Sequence, residues 1–268
     1  MKKVLFVFDS RATFSYSNNV IKHFNNPKIK IQTVVTGNYL DSKFGVNISI
    51  FKKNKIKISK KIKFKSPNKA KFSWPMHLGD AVKGFSKTLS ELSPDLIVLT
   101  GDRVETLGFC IAASYMNIPI AHIQAGDKSG HIDDLARAAI AKFANIHFAS
   151  CKDSVKRLQS WGEKKQSIFN VGAPQLDDIK IKKNKLNKNI ILVIFHPVLN
   201  ENENINAQVK NLYEALNDNF DSNIIWIYPN NDYGHEKITN KITMKLTGIA
   251  LVRWSPKRLH ESPKSRHL

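Results

Sequence analysis

The stretch Pro94-Asp95-Leu96-Ile97-Val98-Leu99-Thr100-Gly101-Asp102-Arg103-Val104-Glu105 decides the fold. Leu96 to Leu99 is a continuous apolar run, the pattern of a strand covered on both faces. Thr100 and Gly101 lead from it to Asp102, and a helical period begins at Val104. Val104, Leu107, Gly108, Ile111, Ala112 and Tyr115 fall at i, i+3, i+4, i+7, i+8 and i+11, which predicts one buried helix face over 104–116.

The same alternation extends in both directions. Val4 to Phe8, Ile31 to Val35, Ile118 to Ile123, Ile146 to Ala149 and Ile168 to Val171 read as strands. Ser15 to Phe24, Met76 to Leu92, Asp133 to Ala144 and Lys152 to Trp161 read as the intervening helices. Apolar strands joined by helices make a parallel sheet covered on both faces, so the fold class is doubly wound α/β. Residues 1–179 form the first such domain, and the lysine-rich segment 180–189 reads as a linker. A second α/β domain over 190–268 follows, with strands at Ile190 to Phe195 and Ile224 to Tyr228 and helices at Ala207 to Leu216 and His235 to Leu246. It is expected to be incomplete. From Arg253 to Leu268 the chain has no strand or helix period and leaves the Lys/Asn/Ile habit of the rest, so a fragment or an altered end is expected. Between Ile48 and Phe64, isoleucine and lysine alternate. This predicts a strand pair whose lysine-bearing outer face discourages edge-to-edge aggregation.

With 268 residues, 42% hydrophobic and 24% charged, the chain can bury a substantial core and has an ordinary globular composition. Its longest apolar runs are far too short to span a bilayer. Val4 to Phe8 is too short for a signal-peptide core, and Asp9 and Arg11 follow it with no small-residue cleavage site. Two cysteines, Cys110 and Cys151, form no disulfide framework or metal pattern, which points to a reducing cytoplasm. The net charge of +20 raises nucleic acid or an anionic membrane as partners. The sequence carries no aromatic-interleaved basic motif, zinc-finger spacing or nucleic-acid module, and heavy lysine usage throughout is the simpler account. The expectation is neither nucleic acid nor membrane as a partner, and an anionic small-molecule substrate.

Open α/β sheets bind ligands at the carboxyl ends of their strands, beside helix N-termini. Four positions meet that condition: Arg11, Asp102, the segment Gln124 to Asp127, and His196. Bland alternatives stay open for several of them. Asp102 and Glu105 have the spacing of a helix-capping pair, Asp133 and Asp134 suit a helix N-terminus, and His196 before Pro197 can simply end a strand. Arg11 near a helix start is electrostatically unusual, and an anion bound beside it would explain it. No Gly-x-Gly-x-x-Gly follows the first strand, no Walker loop or Gly-x-Ser-x-Gly elbow occurs, and His122, Asp127 and His131 match no common metal spacing.

In order and spacing, these segments carry a resemblance. Gly101-Asp102-Arg103-Val104-Glu105 resembles the Gly-Asp-Arg-x-Glu segment of the hydrolysing UDP-N-acetylglucosamine 2-epimerases of sialic and legionaminic acid synthesis. Asn117-Ile118-Pro119-Ile120-Ala121-His122-Ile123-Gln124-Ala125-Gly126-Asp127 continues it, then Gly130-His131-Ile132-Asp133-Asp134 and Arg137. Phe195-His196-Pro197 and Tyr228-Pro229-Asn230-Asn231-Asp232 are similar to loops of that family's second domain, and the likeness covers roughly residues 1–240.

The resemblance implies two Rossmann-like domains around a cleft, the GT-B-like arrangement. It also implies elimination of UDP across C1–C2 of the sugar, followed by addition of water that inverts C2, with no NAD, no metal and no other cofactor. By family position Asp102 and Asp133 are the general acid/base candidates, with Asp127 or Asp134 as substitutes. Arg11, Arg103 and Arg137 are anion partners, Glu105 and Gln124 line the substrate, and His196 faces the diphosphate. A homo-oligomer is among the expectations. The chain departs from the pattern at Asp9-Ser10-Arg11 and Thr13, where relatives often have Gly-Thr-Arg and an acid. Gln124 stands where some branches have glutamate, and a neutral amide cannot act as a base, which promotes Asp127. Ala138 stands where a histidine is common. The family's Ser/Gly-rich nucleotide loop belongs to the part of the second domain expected to be missing. Two rivals stay open: a glycosyltransferase with the same two domains, and a non-catalytic UDP-sugar-binding remnant.

Overall fold

The computed structural model describes residues 1–24, 26–40, 48–64, 73–130, 133–177, 179, 190–198, 201, 203–219, 223–229, 234–245 and 249–252. It divides into two compact units, Met1–Ile181 and Lys182–Leu268.

In the first unit the elements run β1 (Lys2–Phe8), α1 (Arg11–His23), β2 (Ile29–Val35), α2 (Ser49–Lys53), β3 (Lys60–Lys61), α3 (Ser73–Leu92) and β4 (Leu96–Thr100). They continue with α4 (Val104–Tyr115), β5 (Ile120–Ala125), α5 (Asp133–Phe143), β6 (Ile146–Ala149), α6 (Lys152–Ser160) and β7 (Ile168–Asn170). The sheet has seven parallel strands in the order β3-β2-β1-β4-β5-β6-β7. Its strands are apolar at nearly every position because successive side chains feed two cores. Leu5, Val7, Ile97 and Leu99 point to one face, against Phe85 and Leu89 of α3, Phe109 of α4 and Ile140 of α5. Val4, Phe6, Phe8 and Val98 point to the other, with Phe14 of α1 and Phe51 of α2.

Three local expectations are corrected. The buried arc of α4 holds Glu105, Thr106, Gly108, Phe109, Cys110, Ala112 and Ala113, whereas Tyr115 is 84% exposed. The helix packs against α3 and α5 as well as the sheet. Phe109 stacks on Phe85 with ring centroids 3.6 Å apart, so the buried arc is wider than a single stripe and rotated from it. The strand pair over 48–64 is absent. Residues 49–53 are helical, because Phe51 enters an aromatic cluster with Phe8, Phe14 and Tyr39 at centroid distances of 5.0–5.3 Å. Only Lys60–Lys61 pairs, with β2. Ile56 and Ile58 pack into one core and Ile62 and Phe64 into the other. The alternation therefore records a chain wrapping over the sheet edge. Lastly, β5 begins at Ile120 instead of Ile118, because Asn117 at φ +55° and the Ile118 N–H bonded to the Ala113 carbonyl still belong to the end of α4.

The second unit contains β8 (Ile190–Ile194), α7 (Ile205–Asn219), β9 (Asn223–Ile227), α8 (His235–Lys245) and β10 (Ile249–Val252), with parallel strands in the order β10-β9-β8. Val193, Ile205, Val209, Trp226, Ile238 and Ile242 form its core. The strand β10 was not expected. The linker segment 180–189 and the aperiodic segment 253–268 lie outside the described residues. No helix among the described residues is long and apolar enough to cross a membrane.

Candidate functional site

Strand β1 lies between β2 and β4, so the strand order reverses there and the carboxyl ends of β1, β4 and β5 open onto a topological switch point. Each of these strands delivers sequence-predicted residues. After β1, Ser10 caps α1, its Oγ accepting from the Thr13 N–H while the Ser10 N–H donates to Thr13 Oγ1. This capping box starts α1 at Arg11, four residues earlier than the pattern suggested, and leaves Arg11 exposed as the first helical residue.

After β4, the capping alternative for Asp102 fails. The N-cap of α4 is Arg103, whose side chain makes no capping hydrogen bond. The Asp102 carboxylate instead accepts from Nη2 of Arg137. Glu105 lies buried in the first turn of α4, accepting from His77 Nε2 at 3.1 Å and paired with Arg103 Nε at 3.6 Å. Burial pushes the Glu105 carboxyl up, but the His77 hydrogen bond and the Arg103 charge outweigh it and hold the group below the usual glutamate range.

In the last residues of β5 the backbone bends sharply. The pairing with β6 shifts register between Ile123 and Ala125, and Gln124 adopts φ +61°. Gly126 follows at φ +77°, where a Cβ would sit 2.5 Å from the Ser154 carbonyl oxygen and 2.8 Å from Leu158 Cγ. Only glycine fits there. Gly126→Ala is expected to cost roughly 2 kcal/mol of stability from strain and overpacking; an unchanged thermal midpoint would show that the turn can move aside. The turn delivers Asp127, whose Oδ1 accepts from Ser150 Oγ and, at 2.7 Å, from Ser154 Oγ.

Arg137, one turn into α5 and 9% exposed, gathers these segments. Its Nη1 donates to the Asp127 carbonyl oxygen at 2.9 Å and to Asp134 Oδ1 at 2.7 Å, and its Nη2 reaches Asp102. Burial lowers the guanidinium's proton affinity. Asp134 also accepts from the N–H groups of Ser129 and Gly130, each at 2.8 Å, and from Ser129 Oγ, closing the turn ahead of α5. Desolvation acts to raise the Asp134 carboxyl, and those hydrogen bonds prevail and hold it below the usual aspartate range. Asp133 is the half-buried first residue of α5.

The remaining positions separate. His196 follows β8 in the second unit and is exposed. His122 is buried and donates from Nε2 to the Gly101 carbonyl oxygen at 2.7 Å; burial lowers it to about 4, so it is neutral at pH 7. His131 lies outside the described residues. No group of three His, Cys, Asp or Glu among the described residues is placed to hold a metal ion. Sequence reasoning missed His77, Ser150, Ser154 and Tyr16, the last a half-buried tyrosine near Gln124, Asp127 and Arg137. Their separations along the chain leave no local signature. Sequence reasoning noted Asp9 only as a departure.

Comparisons with known proteins bear on the family and the fold. The Legionella pneumophila protein named UDP-N,N'-diacetylbacillosamine 2-epimerase (hydrolyzing) is 32% identical over 256 residues, 90% of this chain and 67% of that protein. Polysialic acid biosynthesis protein P7 of Escherichia coli is 28% identical over 258 residues, 90% of this chain and 66% of that protein. The chain thus spans about two thirds of the length of these curated relatives. In fold it is similar to the Neisseria meningitidis UDP-GlcNAc 2-epimerase crystallised with UDP-GlcNAc, with a TM-score of 0.77 at 18% identity over 94% of this chain and 72% of that one. The family model described as UDP-N-acetylglucosamine 2-epimerase matches residues 22–256, and the chain belongs to that family.

Proposed function

We propose that this chain carries the acid–base part of a hydrolysing 2-epimerase acting on a UDP-linked 2-acetamido sugar. The observation that carries the reading is the Arg137 guanidinium, which holds Asp102, Asp134 and the main chain of Asp127 together at the carboxyl ends of β4 and β5. The reaction needs a carboxylate to remove the C2 proton as the C1–O bond to UDP breaks. It then needs an acid to deliver a proton to the opposite face of C2 while water adds its hydroxyl to C1. Asp102 and Asp133 are assigned these roles, with Asp127 the substitute where Gln124 has no ionisable group. Asp134 is bound on both oxygens by Arg137, Ser129 and Gly130, so its role is to set the loop. Arg11 and Arg103, beside the first turns of α1 and α4, are assigned to the anionic diphosphate, aided by the helix N-termini.

The test is incubation of the chain in D₂O with UDP-N-acetylglucosamine alone and, in parallel, with its N,N'-diacetylbacillosamine counterpart. The expected products are UDP and the free 2-epimeric sugar with deuterium at C2. Release that strictly requires a sugar acceptor would make the chain a transferase. Binding without release or deuterium uptake would reduce it to a binding protein. Either result overturns the proposal.

A further inference from the structure

Asp9, directly after β1, stands outside every role assigned above, yet it is 1% exposed. Its Oδ2 accepts from Thr106 Oγ1 at 3.0 Å, and hydrogen bonding from the neighbouring Ser10 side chain also favours its ionised form. Glu105 comes close to the same point. A Cβ built on Gly37, just after β2, would lie 3.3 Å from Asp9 Cβ and 3.2 Å from Glu105 Oε1. Two buried carboxyls therefore converge where β1, β2 and α4 meet. The charges facing Asp9 are Arg103 and Glu105 from α4, with Arg11 on α1 and the Tyr39 phenol after β2 close by; His77 of α3 reaches the cluster through Glu105. Arg103, the N-cap residue of α4, pairs through Nε with Glu105 Oε2 at 3.6 Å, and from there its charge also acts on Asp9.

We propose that Asp9 is a positioning residue for Arg103: its ionised carboxylate draws the guanidinium toward the buried acids, and its protonation releases that guanidinium toward an anion at the switch point. Binding of a diphosphate through Arg103 is then stronger when Asp9 is neutral. The assignment rests on the reading of Arg103 as an anion partner given above. Burial raises the Asp9 carboxyl to about 6, with Arg103 lowering it and Glu105 raising it further, which places the change near neutral pH. Asp9→Asn mimics the neutral form and keeps an acceptor for Thr106.

Two measurements on the full chain test this. In the first, the Arg103 Nε–Hε resonance is followed by NMR from pH 5 to 8. It should shift with a midpoint near 6 in the parent and stay flat in Asp9→Asn; a flat parent, or the same titration in Asp9→Asn, overturns the inference. In the second, inorganic pyrophosphate binding is measured at pH 7.5 in Asp9→Asn, Arg103→Met and the double variant. The single Asp9 change should tighten binding several-fold, and that gain should vanish once Arg103 is gone. Additive effects would mean that Asp9 acts on the anion without Arg103, and would overturn it. Pyrophosphate that binds no variant at any pH, alongside an intact Arg103 titration, would instead sink the assignment of Arg103 to the diphosphate. Asp9 would then still position the guanidinium.

Discussion

Replacing Arg137 with methionine should lower the unfolding free energy by roughly 3 kcal/mol and abolish any turnover. Arg137 is the cation that Asp102 and Asp134 share, and it also satisfies the Asp127 carbonyl. Methionine fills much of the volume but leaves those acceptors without their donor in a partly desolvated place. The carboxylates are 19% and 26% exposed, so water recovers some of the loss, and the figure sits at the low end for a broken buried pair. Arg137→Lys should fall between, since one ammonium cannot reproduce the fork that reaches three partners. Stability at this site also depends on pH. Asp134 is held below the usual aspartate range in the folded chain, so the stability it contributes is present above the unfolded value near 3.8 and is lost as pH falls through the depressed folded value. Ser129, Gly130 and Lys128 hold it there, so Arg137→Met and its parent should both lose this stability in acid. Denaturant melts at pH 7 and pH 3 measure both effects. Equal midpoints at pH 7 would mean that the three segments are held by something other than this guanidinium.

The second large effect is chemical. Asp102→Asn should lower turnover on UDP-N-acetylglucosamine by roughly 10³-fold, the scale of losing a general acid or base, while barely moving the melt. The amide oxygen can still accept from Arg137, and the helix after it has Arg103 as its N-cap, so neither local structure nor capping depends on the negative charge. That separation distinguishes this variant from Arg137→Met, in which fold and chemistry fail together. Unchanged turnover with an unchanged melt would move the acid–base role to Asp133 or Asp127. A collapsed melt would mean that the Asp102 charge is chiefly structural.

Much of this was legible in the chain itself. Strands such as Leu96–Thr100 and Ile146–Ala149, and the helices beginning at Val104 and Asp133, are set by short-range periodicity. A strand buried on both faces must be apolar throughout, and its following helix must turn one face back to the sheet. The same locality put Asp102 and Asp127 at strand ends, because a turn necessarily follows a strand. Local pattern misread residues 48–64, where Ile56 and Ile58 serve one face of the sheet edge and Ile62 and Phe64 the other, and it misplaced the buried face of α4, which depends on where α3 lies.

What only the tertiary structure decided is which polar groups meet. Sequence supplied Asp102, Asp134 and Arg137 as separate candidates, and one guanidinium joins them across 35 residues. Glu105 has capping spacing yet spends its carboxylate on His77 and Arg103. Asp9 looked like a departure from a motif and is a buried acid beside that pair. Backbone periodicity is dictated by nearest neighbours along the chain. The partner of a buried charge is dictated by whichever strands lie adjacent in the sheet, and that order, with β1 against β4, exists only in the folded chain.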